Sequence, residues 1–318
     1  SEIGFSIVWV PIFRPAQLPG SAMLPIADAN EPVPVVEADV RDEIEGLRGQ
    51  VRRLLADPDV HAEVPEFSLD NSQLAARIQM RMGETDLALM YFRGNDDIPV
   101  FGRAEGIINE DGDDVSVGSD VSLVYPRTQA LGFDINGQAP FLDDMGWWFE
   151  AAVMFPERTP LTFIFPESPI LYEPTVIEGS AVDDRPFIKF TLGLDYSFNE
   201  HVFLLVQFVH GMINEFGAGM LSNILLAGLD IKLWSDRILF RIFGLMQMDF
   251  IDEAFRGEPY EEWEDQISWN LFPMFRINPW GNLDLDLGAV IPIGHEESYF
   301  GQVATGATTV FLRGRASF

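Results

Sequence analysis

The chain has 318 residues, 47% of them apolar, and a mean hydropathy of +0.08, far from the composition of a disordered segment. Its formal net charge of −30, from 50 acidic and 20 basic side chains, argues against a nucleic-acid partner, whose phosphates it would repel. The absence of cysteine removes disulfide frameworks, thiol catalysis and cysteine-based zinc sites, and no apolar run reaches the roughly 18 residues a membrane helix needs.

Read from the N-terminus, no export signal is in view, so the chain reads as a mature or trimmed form. A strand is expected over 3–13. A long connection at 14–72 follows, expected to be an extracellular loop. Within it, 41–56 predicts a short amphipathic helix: Ile44, Leu47, Val51, Leu54 and Leu55 recur at helical spacing, with Glu43, Glu45, Arg48, Arg52 and Arg53 on other faces. Its stripe should pack on a rim or on other loops, or carry the loop into an interior and narrow it.

Next come strands at 73–83 and 86–93 around a two-residue link. In the first, Gln73, Ala75, Arg77, Gln79 and Arg81 oppose Leu74, Ala76, Ile78, Met80 and Met82. The long connection at 94–121 holds the densest acidic patch, Glu110 to Asp114, where Asp111, Asp113 and Asp114 are hard-oxygen candidates for calcium beside Gly112. The patch lacks the ligand spacing and closing glutamate of an EF-hand.

The remaining strands are expected at 122–136, 146–155, 187–198, 201–210, 223–234, 237–248, 266–276, 282–292 and 307–318, twelve in all. Short links at 84–85, 137–145, 199–200, 235–236 and 277–281 alternate with long ones at 14–72, 94–121, 156–186, 211–222, 249–265 and 293–306. Nearly all of the net charge of −30 falls in the long connections. Those acids either keep exposed loops soluble or gather cations at a surface.

Strand parity puts most charge on one face. Arg77, Arg81, Glu150, Lys189, Asp195, Asp230, Lys232, Arg241, Asp284, Asp286, Arg313 and Arg315 would point into a hydrated interior, joined by Asp134, Arg237 and Arg276. They would either brace a closed interior or line a pore. Trp9, Trp147, Trp148, Tyr196, Trp234, Trp263, Trp269 and Trp280 fall near strand ends, as interfacial girdles require.

No catalytic motif appears, and His61, His201, His210 and His295 fall in different segments, so no enzyme is expected. A membrane-embedded hydrolase using His210 or His295 is the third reading. A soluble sandwich would need polar outer faces on its strands.

The terminal Phe318, the alternation with polar residues inside, and the rhythm of short and long links resemble the proteobacterial outer-membrane β-barrel (porin-like) superfamily across nearly the whole chain. The resemblance implies an all-β fold: a transmembrane antiparallel up-and-down barrel of about twelve strands in one domain, with both termini on the periplasmic side. It implies a bacterial outer-membrane location and a channel or porin-like transporter for small polar or charged solutes, the alternative being a structural or partner-binding barrel without an open pore. Lipids, solutes and a protein partner or second copy are the implied partners. No cofactor is implied beyond calcium at the acidic loops.

Overall fold

The computed structural model describes residues 2–15, 58–111, 114–140, 145–165, 175–217, 221–248, 267–294, 298, 300 and 307–316. Their secondary structure is β throughout. In chain order the strands are β1 (Glu2–Val10), β2 (Pro58–Glu63), β3 (Gln73–Met82), β4 (Thr85–Asn95), β5 (Val100–Asp111) and β6 (Asp114–Val124). Then come β7 (Arg127–Ala139), β8 (Met145–Pro156), β9 (Thr159–Phe165), β10 (Thr175–Val182), β11 (Phe187–Ser197) and β12 (Val202–His210). The last are β13 (Asn223–Leu233), β14 (Ile238–Met248), β15 (Ile267–Ile277), β16 (Leu283–Gly294) and β17 (Thr309–Ala316).

Two sheets account for all of them. The larger has twelve strands in the order β1-β3-β4-β7-β8-β11-β12-β13-β14-β15-β16-β17, every neighbour antiparallel. These are the twelve segments that periodicity picks out. Glycine at positive φ makes two of the short turns, Gly83 (64°) and Gly281 (76°), where a side chain would be strained. The β13–β14 turn instead holds Trp234, Ser235 and Asp236 all at positive φ.

One expected strand is corrected. The segment 122–136 does not run through: β6 ends at Val124 and β7 begins at Arg127, in different sheets. Pro126 has no N–H to give a ladder, so the chain bends there. The bend is fixed by the Asp96 N–H donating to the Pro126 carbonyl at 2.7 Å, by Asn95 Nδ2 donating to the Tyr125 carbonyl at 3.1 Å, and by the Tyr125 ring 4.9 Å from Phe13.

The smaller sheet, β10-β9-β5-β6-β2, grows out of three connections read from sequence as loops. It is built by ordinary rules for a water-soluble sheet. One face is apolar and buried, with Ala104, Val121, Leu123, Leu161, Phe163, Phe165 and Ile177 forming a core. The opposite face carries His61, Arg103, Glu105, Asp120 and Glu178. The expected helix at 41–56 lies outside the described residues.

The twelve-stranded sheet reverses the pattern. Directly paired residues share a face, so the ladder can be followed from strand to strand. From Ile3 it passes through Met80, Leu87, Ile135, Phe149, Leu192, Phe208, Leu225, Met246 and Trp269 to Ile293, all apolar. This face is bare: Leu89, Leu131, Leu192 and Leu287 sit in mid-strand at 52–55% exposure. The sheltered face is the polar one, with Ala88 at 1%, Asp134 at 8%, Ser268 at 0% and Asp286 at 1%.

The same line shows a stagger. It starts one residue inside the short-turn edge, at Ile3, and ends one residue inside the long-connection edge, at Ile293. Such one-way drift is what a sheet closing into a tilted cylinder requires.

Candidate functional site

Each charged residue singled out by parity lies on the polar face of the large sheet. Arg77 and Arg81 come from β3, Glu150 from β8, Lys189 and Asp195 from β11, and Asp230 and Lys232 from β13. Arg241 comes from β14, Asp284 and Asp286 from β16, and Arg313 and Arg315 from β17. Asp134 and Arg276 join them. Arg237 differs: it sits in the β13–β14 turn with its guanidinium 6.0 Å from the Trp234 ring centre.

Three clusters organise this face. At one end of the strand order, Asp286 takes both guanidinium groups beside it: Arg276 Nε donates to Oδ1 at 2.6 Å and Nη2 to Oδ2 at 3.2 Å, while Arg313 donates to Oδ2 through Nε at 2.9 Å and Nη2 at 2.5 Å. The Asp286 side chain is 2% exposed. These bonds tie β15, β16 and β17 together. On β13 and β14, Arg241 grips Asp230 with two parallel bonds of 2.6 Å, the fork geometry that guanidinium and carboxylate share. Farther along, Arg77 reaches over β4, where Ala88 offers only a methyl, to donate to Asp134 at 3.1 Å.

At the long-connection end, Lys189 Nζ donates to the Met212 carbonyl at 2.6 Å, between the rings of Phe187 and Phe216 at 5.8 and 5.7 Å. Glu215 closes that loop by accepting the N–H groups of Met212 and Ser222 at 2.7 and 2.9 Å. The chain after β12 is thereby held against the polar face. Just beyond β4, burial pushes the Asp96 carboxyl above its ordinary value, against the Ile98 N–H bond and the Lys189 charge. Because the folded state holds that proton more tightly, Asp96 contributes stability below its unfolded pKa and loses it as pH rises through the folded one. In urea titrations from pH 4 to 7, Asp96→Asn should therefore gain stability relative to the parent as pH rises.

The short-turn end is shaped differently. Trp148 stands opposite Gly193, and Asp195 opposite Gly146. Arg81, Glu84, Asp86 and Asn136 join Trp148 and Asp195 around a cavity of about 360 Å³. A second cavity of about 420 Å³, lined by Arg77, Gln79, Arg81 and Asp134, adjoins it toward β1.

Aromatic side chains fall at both edges of the apolar face. Trp9 and Trp269 mark the long-connection edge, and Trp147, Tyr196, Trp234 and Trp280 the other. Trp148 does not join them. Adjacent residues on a strand face opposite ways, so with Trp147 on the apolar face, Trp148 belongs to the polar one. Trp263 lies outside the described residues. Among the described residues the apolar face turns polar at the long-connection edge at Arg93, Gln129 and His210, whose Nδ1 is 2.9 Å from Asn223 Oδ1.

The metal candidates divide. Asp111 and Asp114 pair in backbone register at the tip of the β5–β6 hairpin, and Asp113 lies outside the described residues. Among the described residues no three acidic or histidine side chains are gathered as a metal would need. Of the histidines, His61 Nδ1 is 2.9 Å from Asp120, but Ser122, its partner in register, donates its hydroxyl to Glu63 instead. His295 lies outside the described residues.

No model of a known protein family matches the chain, and no curated protein matches it.

Proposed function

We propose that the twelve-stranded sheet closes on itself through β1 and β17 and spans a bacterial outer membrane, its polar face lining a passage for small polar or charged solutes. One observation carries the reading: the two sheets of this chain obey opposite rules. The five-stranded sheet buries its apolar face and shows a charged one to water, whereas the twelve-stranded sheet leaves leucines half exposed in mid-strand and buries Asp134, Ser268 and Asp286 on its polar face. A hydrocarbon solvent around the larger sheet explains the difference, since it favours apolar side chains outside and charge inside. An open edge would strand backbone groups in lipid, so closure follows from the same premise.

The charges of the polar face come close to balance, while the connections carry nearly all of the net −30. A pore of this kind should pass cations in preference to anions. Planar-bilayer recordings of the purified chain under a salt gradient test this: stepwise conductance with a cation-selective reversal potential is expected. Silence from a folded barrel would instead favour a scaffold without an open pore. That second reading draws on the loop held over the polar face by Lys189 and Glu215, and on the exposed charged face of the smaller sheet, with His61, Asp120, Arg103 and Glu105, which suits a partner-binding surface.

A further inference from the structure

We infer that the short-turn end of the polar face binds a small organic cation, an alkylammonium or guanidinium group, on Trp148 and Asp195. This deepens the channel reading by naming a solute class, and depends on it only for the route by which the solute arrives.

The site is cut into the sheet by two glycines. A Cβ on Gly193 would lie 2.1 Å from a ring carbon of Trp148, and one on Gly146 would lie 2.7 Å from Asp195 Oδ1. Each large side chain therefore lies across the bare backbone of the partner strand, which sets an indole and a carboxylate side by side. With β11 backbone against one side of the indole, its π-surface contributes to the wall of the cavity of about 360 Å³. That volume is near the lower limit for ligand pockets, which suits a compact solute.

The charges select the sign. Around the cavity stand three carboxylates, Glu84, Asp86 and Asp195, and one guanidinium, Arg81, whose Nε is 3.8 Å from Asp86 Oδ1. Asp195 makes no hydrogen bond or ion pair among the described residues. An anion would meet net repulsion there, and a neutral sugar would leave the carboxylates uncompensated. A cation gains both the field of Asp195 and the negative face of the indole.

Isothermal titration of the folded, detergent-solubilised full chain with choline tests the inference, with glucose and acetate as comparisons. Choline should bind saturably at one site, and glucose and acetate should not. Asp195→Asn should weaken choline binding about tenfold or more, and Gly193→Ala, which displaces the indole without changing any charge, should do the same. Trp148→Phe, a smaller change to the fold, should weaken it by less. Choline binding no tighter than glucose, or unaltered by Asp195→Asn in a chain that retains heat-modifiable mobility, would overturn the inference. Choline binding without conductance would sink the open pore and leave the cation site standing, whereas conductance without choline binding would do the reverse.

Discussion

Leu192→Arg is expected to destabilise the chain in phospholipid bilayers by roughly 2–4 kcal/mol, while Thr191→Arg, one residue away, should cost under about 1 kcal/mol. Leu192 is 52% exposed on the apolar face, and its neighbours in register are Phe149 and Phe208. A guanidinium there would face hydrocarbon. Thr191 lies on the opposite face, directly across from Glu150, where an arginine meets a carboxylate in a hydrated setting. Water around the sheet predicts otherwise: a half-exposed leucine on a soluble surface is replaced at a cost within about 0.5 kcal/mol, and the two variants would be alike. Urea unfolding from liposomes, followed by tryptophan fluorescence, measures the difference.

Asp286→Ala should cost about 2–3 kcal/mol, the largest loss expected from any single charge on the polar face. It removes the acceptor for Arg276 and Arg313 together and leaves two cations facing each other across β16. Breaking a buried pair commonly costs about 3–5 kcal/mol, but the Arg313 side chain is 52% exposed, and water there softens the loss. Arg315→Gln, two residues along the same strand, should change stability by less than about 0.5 kcal/mol, since exposed charges contribute little. Parallel unfolding curves separate the two; equal effects would show that Asp286 is not the anchor of β15, β16 and β17.

The twelve strands were legible because each carries its own period-two signal, readable without knowing its neighbours. The Leu283, Leu285, Leu287 series against Asp284 and Asp286 is enough to assign both faces of β16. The smaller sheet is less legible for a reason of the same kind. Charge dominates the composition of the connections, and the Asp-Gly pair at 111–112 fits a calcium turn and equally a hairpin between two alternating runs, which is what the β5–β6 pairing makes of it. The alternation of Leu161, Phe163 and Phe165 was a second available sign. Pro126, which has no N–H to give a ladder, is a sign that 122–136 divides, but not a decisive one, since β15 and β16 carry Pro273 and Pro292 within central strands.

At the site, parity identified which residues share a face but not which meet. That Arg77 bonds to Asp134 across an intervening strand depends on the register of β3, β4 and β7, and on a methyl at Ala88. The floor under Trp148 depends likewise on the β8–β11 register, which sets Gly193 and Gly146 opposite large partners. Register is fixed by turn geometry and by both strands at once, so neither strand alone reveals it.

The membrane reading requires closure, since an open edge would leave backbone groups unpaired in lipid, and disulfide trapping between β1 and β17 measures it most directly. A twelve-stranded cylinder with strands inclined at about 35–40° has a shear of about 12–14 residues, which sets Arg315 beside Ser6 or Val8 with matching faces. The chain has no native cysteine, so only engineered thiols can pair. Arg315→Cys combined with Ser6→Cys or with Val8→Cys should cross-link in the lipid-embedded protein, and combined with Ile7→Cys, on the opposite face, it should not. A fully reduced chain in both same-face pairs, in protein that is folded by heat-modifiable mobility, would contradict closure and the channel with it.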